Sequence, residues 1–491
     1  MSQERQRFSS GHRAAPMSTG VKRALATFLT VAVVASMAVV GSTTTSYAQS
    51  KTNALRKVGT PESIVVTNNG ALFVGTIETF AAGSRKNTKP VAVIKGATGS
   101  VPGLGVTGVP AEDVLAGVAV NPNPVTAITG GTPVNGAIYV ASDLSIGAAG
   151  APDSISGFPP GTQVNGSPIA FMITLPADTF CLVPGVPPAC EVEYPGNPIV
   201  KPEGIAFLPL TTAFESPFPG APGDYYVTQL RGGELDPLTG LPAAGDVGSV
   251  LEYAASAGTA ADPIPNSAPV GEIEDLATCT SDGGAATLLF GPVGVARDSS
   301  NNIWVVNSGL GLGLGSYVTE YPAGSASLTP LLPIPPTCVT PIGFVGAGVL
   351  EEGEFDVISP IDGGLWVSDV LQNAVFEFDP DGDGSVVTEI AGKRSRLKAP
   401  MGVAMNAEGD LYVANNERNQ VLMFEDPSFG GLLNVKPNIN LHGNRTGLHQ
   451  PVGVALGAGV PPFPSPTATP TATSTPTATA TPTATPTPPP G

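Results

Sequence analysis

Short apolar runs separated by polar turns recur along this chain. In Pro400–Phe424, the runs are Gly402–Met405, Leu411–Ala414 and Val421–Phe424, and the turns between them are rich in Asn, Gly, Glu and Asp. Runs of this length with Val, Tyr and Phe between such turns predict β-strands, and no helical period is present in this stretch. Because three strands cannot bury their faces alone, the unit requires copies of itself.

Copies of this unit occur along most of the chain. Aligning Trp366 with Tyr412 places Asp369 on Asn415, and Trp304 occupies the same position one copy earlier. We therefore predict that these three aromatic residues are buried at equivalent places in adjacent units. The further copies are Gly291–Val306, Gly363–Phe378, Pro61–Val74, Leu115–Val120 with Ala137–Asp143, Pro202–Phe207 with Asp224–Gln229, and the half-copy Pro451–Leu456.

The shared pattern is P-x-G-[VI]-A, then [LI]-[YW]-V-[AVS]-[DN], then [VF]-x-[FY]. It resembles the NHL-repeat family of β-propellers and the related gluconolactonase-like and streptogramin-lyase-like propellers over Gly59–Leu456. The resemblance implies an all-β, six-bladed propeller within residues 49–460, which the terminal half-copy helps to close. Seven blades are the alternative if the half-copy recruits N-terminal strands. The innermost strands are expected to start at Pro61, Leu115, Pro202, Pro292, Pro341, Pro400 and Pro451.

Insertions lengthen some of the copies. Their Pro, Gly and Ala content predicts loops, and long loops on a rigid scaffold are where recognition usually occurs. A shorter insertion, Glu351–Phe355, is expected to form an acidic loop on the rim. The longer insertions are Ser145–Pro168, Cys181–Pro198, Arg231–Gly248 and Ala254–Leu288.

The two ends of the chain differ from the repeats. Lys22 and Arg23 precede the apolar run Ala24–Val40, and Ser46–Ala48 supplies a small-residue cleavage site. This pattern predicts a secretory signal peptide over residues 1–48, with Met17 as an alternative start; an uncleaved membrane anchor is the other interpretation. Residues 461–491 form a Thr/Pro-rich repeat that predicts a disordered stalk. We expect a secreted or cell-surface protein with no membrane span in the mature chain.

The charge of the chain restricts the classes of partner that it is expected to bind. Removal of residues 1–48 takes away five basic residues and one acidic residue, which leaves 17 Lys and Arg against 39 Asp and Glu and a net charge of −22. Nucleic acids and anionic membranes are polyanions, so an acidic surface disfavours both. An extracellular protein or glycan is the expected partner, and we expect a monomer.

The exported chain contains four cysteines, and an even number in an exported protein favours disulfides. Three connectivities are possible. We favour Cys181 with Cys190 and Cys279 with Cys338. No C-x-x-C spacing is present, so these residues do not predict a metal site.

The position between Pro and Gly in each anchor is the first candidate site. In gluconolactonase-like propellers, Glu, Asn and Asp side chains on the innermost strands bind one divalent cation, usually calcium or zinc. At the corresponding positions this chain has the carboxylates Glu62 and Glu203. Calcium takes six to eight oxygen ligands, so we expect two surface or channel-mouth carboxylates without a catalytic role. The remaining positions are Ala116, Val293, Ile342, Met401 and Val452.

The segment Asp379–Ser385 (DPDGDGS) is a second candidate. Asp379, Asp381 and Asp383 alternate as in the start of a calcium loop, but the twelfth position is Ile390 rather than Glu. A plain hairpin turn is the favoured interpretation, with Ca²⁺ binding as the alternative.

Other polar residues favour structural roles. His442 and His449 lie in one segment and cannot supply the three ligands of a zinc site, so we expect both in a loop. A set of short polar residues follows the second strand of several copies, and such side chains commonly cap turns. The set is Asp143, Gln229, Asn307, Asp369 and Asn415.

These observations favour a non-catalytic extracellular binding or scaffolding propeller. No G-x-S-x-G nucleophile motif is present. The alternative is a metal-dependent lactonase or lyase that uses Glu62 and Glu203.

Overall fold

The computed structural model describes most of the repeat region. The predicted signal peptide and the Thr/Pro-rich stalk lie outside the described residues, and no helix within those residues is long and apolar enough to cross a membrane. The described residues are 62–69, 75–95, 113–121, 137–144, 154–158, 171–174, 202–207, 224–229, 248–253, 271–273, 287–308, 315–325, 338–358, 362–379, 384–427 and 430–458.

The described chain forms strands, with one 3₁₀ turn at Asn416–Arg418. The strands in chain order are β1 (Glu62–Asn68), β2 (Thr76–Phe80), β3 (Ala92–Lys95), β4 (Asp113–Val120), β5 (Ile138–Leu144), β6 (Ser154–Phe158), β7 (Phe171–Thr174), β8 (Pro202–Phe207), β9 (Tyr225–Gln229), β10 (Ser249–Tyr253), β11 (Gly271–Ile273), β12 (Pro292–Arg297), β13 (Ile303–Asn307), β14 (Tyr317–Tyr321), β15 (Gly343–Val345), β16 (Gly353–Ile358), β17 (Leu365–Asp369), β18 (Ala374–Phe378), β19 (Val386–Ile390), β20 (Pro400–Met405), β21 (Leu411–Asn415), β22 (Gln420–Phe424), β23 (Gly431–Leu433), β24 (Ile439–His442) and β25 (Pro451–Ala458).

These strands form six sheets, each of which is one blade. The first four strands of every blade pair in antiparallel fashion. Blade 5 has a fifth strand, β23, which pairs in parallel with β19. The innermost strands contact one another in the closed circuit β25–β4–β8–β12–β16–β20–β25. The fold is therefore a six-bladed β-propeller, as predicted. Listed from the innermost strand outward, the blades are β25-β1-β2-β3, β4-β5-β6-β7, β8-β9-β10-β11, β12-β13-β14-β15, β16-β17-β18-β19-β23 and β20-β21-β22-β24.

Blade 1 joins the two ends of the repeat region. The half-copy at Pro451 supplies its innermost strand, and β1 pairs with that strand through Ile64 opposite Leu456. The half-copy thus recruits N-terminal strands, yet the total remains six. The prediction that Pro61 anchors an innermost strand is wrong, because the run after it forms the second strand of blade 1.

A second anchor is also wrong. The residues after Pro341 form β15, the outermost strand of blade 4, and β16 is the innermost strand of blade 5. The prediction that Glu351–Phe355 forms an acidic rim loop is therefore wrong from Gly353 onward, because β16 begins at that residue. The Pro-x-Gly pattern at 341–343 imitates an anchor, whereas the true strand has Gly353 where the other blades have mostly Pro and Phe355 where they have Gly.

Two of the predicted insertion loops contain outer strands. Ser154–Phe158 forms β6 in blade 2, and Gly271–Ile273 forms β11 in blade 3. Both are poor in β-branched residues, so their pairing with β5 and β10 rather than intrinsic propensity makes them strands.

The cores lie between blades and include the predicted aromatic residues. Trp304, Trp366 and Tyr412 pair with equivalent residues of their innermost strands and are at most 9% exposed. The burial of these side chains at matching places in blades 4, 5 and 6 confirms the predicted alignment of their second strands.

Candidate functional site: the central channel

Each innermost strand carries a β-bulge near its start. The bulge shifts the register of the pair, for example between Pro202 and Ile205 and between Pro400 and Val403. Three successive positions then repeat around the channel. We call them the bulge ring (Ala116, Glu203, Val293, Glu354, Met401, Val452), the glycine ring (Gly117, Gly204, Gly294, Phe355, Gly402, Gly453) and the aliphatic ring (Val118, Ile205, Val295, Asp356, Val403, Val454).

The glycine ring allows neighbouring blades to approach closely. A Cβ atom on Gly204 would lie 2.7 Å from the carbonyl oxygen of Val293, and one on Gly402 would lie 2.6 Å from that of Val452. Cβ atoms essentially never come this near to backbone oxygen atoms. Glycine at this position therefore sets the narrow width of the channel.

In blades 1 and 3, a threonine hydroxyl links the innermost strand to that of the next blade. The amide of Gly204 donates to Thr228 Oγ1 at 2.7 Å, and this hydroxyl donates to the Val293 carbonyl of the next blade at 2.8 Å. Thr67 makes the same two bonds, from Gly453 at 2.8 Å and to the Ala116 carbonyl at 3.1 Å. These bonds satisfy backbone groups that the bulges free from the ladder.

A cavity of about 50 Å³ lies in the channel at the level of the glycine and aliphatic rings. Five of the six members of the aliphatic ring are Val or Ile, and the sixth is Asp356. Its side chain is 8% exposed, and neither carboxyl oxygen has a hydrogen-bond partner among the described residues. Burial raises the pKa of Asp356 well above its usual value.

The bulge ring, one residue before the glycine ring on each innermost strand, contains two carboxyl groups, those of Glu203 and Glu354. Burial raises the pKa of Glu354 to about 8, with repulsion from Glu352 and Asp369 as further causes. Burial and Asp369 also raise the pKa of Glu352. We call Glu203, Glu352, Glu354 and Asp369 the acidic mouth. Two of these residues, Glu354 and Glu352, lie where strand β16 begins.

Only one of the two predicted channel carboxylates lies on an innermost strand. Glu203 is half-buried on β8, whereas Glu62 starts β1 opposite Ala458, on the second strand of blade 1. The pair expected from the resemblance is therefore not formed. The sequence did not reveal Glu354 and Asp356 as channel residues, because the pattern at Pro341 was aligned with the innermost strands in place of β16. The signal for them is the sequence GEFD, which matches P-x-G-V in its spacing.

Other predicted sites lie away from the channel. Asp379 directly follows β18 and is exposed. Asp381 and Asp383 lie outside the described residues. The prediction that both histidines lie in a loop is wrong for His442, which ends strand β24 opposite Gln420. Its backbone amide donates to the Lys86 carbonyl at 2.8 Å. His449 lies in the loop before β25, and its amide donates to Asn68 Oδ1 at 3.3 Å. Within the described part of the chain, no three His, Cys, Asp or Glu side chains are grouped to hold a metal ion.

The polar residues at the ends of the second strands bind the loops that precede the innermost strands. Asn307 Oδ1 accepts from the Phe290 amide at 2.8 Å, and Asn415 Oδ1 accepts from the Lys398 amide at 2.6 Å. Asp369 Oδ2 accepts from the Glu351 amide at 2.7 Å. This is the capping role that the sequence favours. By register the blade 2 member is Ser142 rather than Asp143, and Asn68 is the member in blade 1.

The cysteine pairing remains a prediction. Cys338 is not a free thiol in the structure. Cys181, Cys190 and Cys279 lie outside the described residues.

Known proteins resemble this chain in structure at low sequence identity. No protein-family model matches the chain, and no curated protein matches it. A chain of a nidogen/laminin complex is 11% identical, with 81% of this chain and 98% of that chain covered and a TM-score of 0.43. A PQQ-bound aldose sugar dehydrogenase from Streptomyces coelicolor is 13% identical, with 77% and 92% covered and a TM-score of 0.40. A streptogramin B lyase is 11% identical, with 68% and 69% covered and a TM-score of 0.30. At these values none of the three identifies a family, a ligand or a reaction for this chain.

Proposed function

We propose that this chain is an exported, NHL-like propeller that binds an extracellular protein or glycan at the acidic mouth. The observation that carries this proposal is the composition of the channel. Glycine and aliphatic side chains form most of its wall at the level of the cavity, and the carboxyl groups are concentrated on β16 at one side. A narrow apolar channel with one charged side suits recognition of a protruding group.

Charge supports the same interpretation. The chain has a net charge of −18, and the acidic mouth adds a local concentration of carboxyl groups. The overall negative charge attracts ligands of the opposite sign, and a basic group that enters the mouth favours the ionised form of its carboxyl groups. The ligand surface that meets the mouth is therefore expected to be basic.

The experiment is an array of extracellular glycans and proteins incubated with the purified chain. Saturable binding to a basic ligand is expected. Binding that is unchanged when Glu352 and Glu354 are both replaced by Gln would contradict the proposal. Asp379→Asn, which removes an exposed carboxylate outside the channel, is the matched control.

A metal-dependent lactonase or lyase is the second candidate, and the pKa of Glu354 is the observation that favours it. A carboxyl group with a pKa of about 8 keeps its proton at neutral pH and can serve as a general acid. Glu203 lies in the same ring and would be the second carboxylate. The purified chain would be given a panel of lactones with calcium, manganese or zinc. Turnover that Glu203→Gln or Glu354→Gln abolishes would establish the enzyme, and absence of turnover with every metal would remove this candidate.

A further inference from the structure

Asp356 is the exception in a ring of branched aliphatic side chains. The register places it with Val118, Ile205, Val295, Val403 and Val454 of the other blades. Burying a carboxyl group without a hydrogen-bond partner costs free energy that burying valine does not. Neither carboxyl oxygen bonds to another described residue, and the one group that favours the ionised form is the backbone of Asp356 itself. A partner from outside the chain would offset that cost.

The size and the walls of the cavity restrict this partner. A volume of about 50 Å³ accommodates a group of a few heavy atoms, since one water requires roughly 10–15 Å³. Asp356 is the one carboxylate among the described lining residues, and most of the others are Gly, Val or Ile. Calcium, which takes six to eight oxygen ligands, does not suit such walls. A group that combines a few hydrogen-bond donors with an alkyl chain suits these walls.

The charge along the approach restricts the partner further. Glu352 and Glu354 precede Asp356 on the same wall, and Asp369 raises the pKa of both glutamates. None of the described residues that line the cavity is basic. The described lining therefore offers Asp356 no basic group to pair with, and a cation, which favours the ionised form of that carboxyl group, is the complementary ligand.

We propose that the cavity binds a primary alkylammonium group, whose N–H groups donate to Asp356 and whose carbon atoms contact the aliphatic ring. An ammonium group has three donors and no acceptor, which matches an acceptor carboxylate. The alkyl stem of such a group packs against apolar walls while its charged end reaches a polar partner. The inference rests on the proposed binding role and names the chemistry of its ligand. A free alkylamine and a lysine side chain share this chemistry.

The test is calorimetric titration of the full chain with n-butylamine, with n-butanol and with Nα-acetyl-lysine N-methylamide. Saturable one-to-one binding of at least one of the two amines is expected, with no binding of n-butanol. Asp356→Val should weaken binding of that amine at least tenfold, and Asp379→Asn should leave it unchanged. Binding of n-butylamine alone would assign the site to free amines, and binding of the lysine derivative alone would assign it to a peptide side chain.

Two results would overturn the proposal. One is the absence of saturable binding of both amines, and the other is equal binding by Asp356→Val. Asp356→Asn, which keeps the shape of the side chain, repeats the comparison if the valine variant does not fold. Array binding that persists in Asp356→Val without amine binding would overturn this inference and leave the proposed function standing. Amine binding by a chain that binds no array ligand would overturn the proposed function and leave this inference standing.

Discussion

Single replacements within the repeat account for the unusual electrostatics of blade 5. Asp356 stands where the other blades have Val or Ile, and Glu354 stands in a ring that has one other carboxylate, Glu203. Gly364 stands at the place of Asn302 in blade 4, whose amide donates to Glu320 Oε1 at 2.7 Å. In blade 5 the corresponding carboxylate is Glu377, and its Oε2 has no partner among the described residues.

Replacement of Asp356 by Val is expected to stabilise the protein. Valine fits the aliphatic ring and removes a buried carboxyl group with two unbonded oxygens. We expect the free energy of unfolding to rise by about 1–3 kcal/mol, the usual cost of an unsatisfied buried polar group. Denaturant unfolding measures the change, and Asp379→Asn is the control for removal of an exposed carboxylate. A loss of stability in the valine variant would mean that Asp356 has a structural partner.

Glu377 is expected to make stability fall as pH rises. Its pKa is raised from 4.5 to about 7, chiefly by burial; a hydrogen bond with Thr388 lowers the pKa, and the charges of Asp362, Asp379 and Asp426 contribute to the rise. Between pH 4.5 and 7 the folded state then retains a proton that the unfolded state has lost, so this contribution is present below pH 4.5 and disappears as pH rises through 7. Glu377→Gln should flatten the stability profile across this window, as thermal unfolding at several pH values would show. Glu320→Gln in blade 4 is the matched control, and an identical flattening there would contradict the assignment.

At the scale of strands, the sequence predicts the inner part of each blade better than the outer part. Runs such as Leu365–Asp369 and Leu411–Asn415 are rich in aromatic and β-branched residues because both of their faces are buried. The β6 strand (Ser154–Phe158) is a strand because β5 offers it a partner, which no local pattern announces. The innermost strand of blade 5 was predicted at Pro341 rather than at β16, because Gly353 and Phe355 of β16 depart from the anchor pattern. The carboxyl groups that β16 carries were therefore not recognised as channel residues.

The hydroxyl links between blades are expected to stabilise the channel. In Thr228→Val, the Gly204 amide and the Val293 carbonyl lose their partner in a buried place. We expect the free energy of unfolding to fall by about 1–3 kcal/mol for this change. Equilibrium unfolding in urea is the measurement. Ala141 and Ala414 occupy the same position in other blades, so an unchanged stability would show that the bond can be replaced by water.

The whole molecule depends on one strand that is distant in sequence from its neighbours. The β25 strand pairs with β1 and contacts both β4 and β20, so it closes the ring. The half-copy at Pro451 allowed the closure to be predicted from the sequence. The same closure makes the first copy the second strand of blade 1. Glu62 therefore does not lie on an innermost strand, where the alignment of the copies predicted it.

Truncation before Pro451 is therefore expected to abolish cooperative folding. It removes the innermost strand of blade 1 and exposes the apolar side of β1. Truncation after residue 460 is the matched control, because it removes only the Thr/Pro-rich segment. Circular dichroism during heating should show a cooperative transition for the control and none for the shorter chain. A cooperative transition in both would contradict closure by β25.

Ligand binding at the acidic mouth can be tested by a single array experiment. The wild-type chain, the Glu352→Gln/Glu354→Gln variant and the Asp379→Asn control would be compared on the same set of extracellular glycans and proteins. We expect the wild type and the control to bind one basic ligand with equal affinity and the mouth variant to bind it at least tenfold more weakly, because both of its changes remove a carboxyl group that can ionise and pair with a basic ligand. Equal binding by all three proteins would contradict the claim.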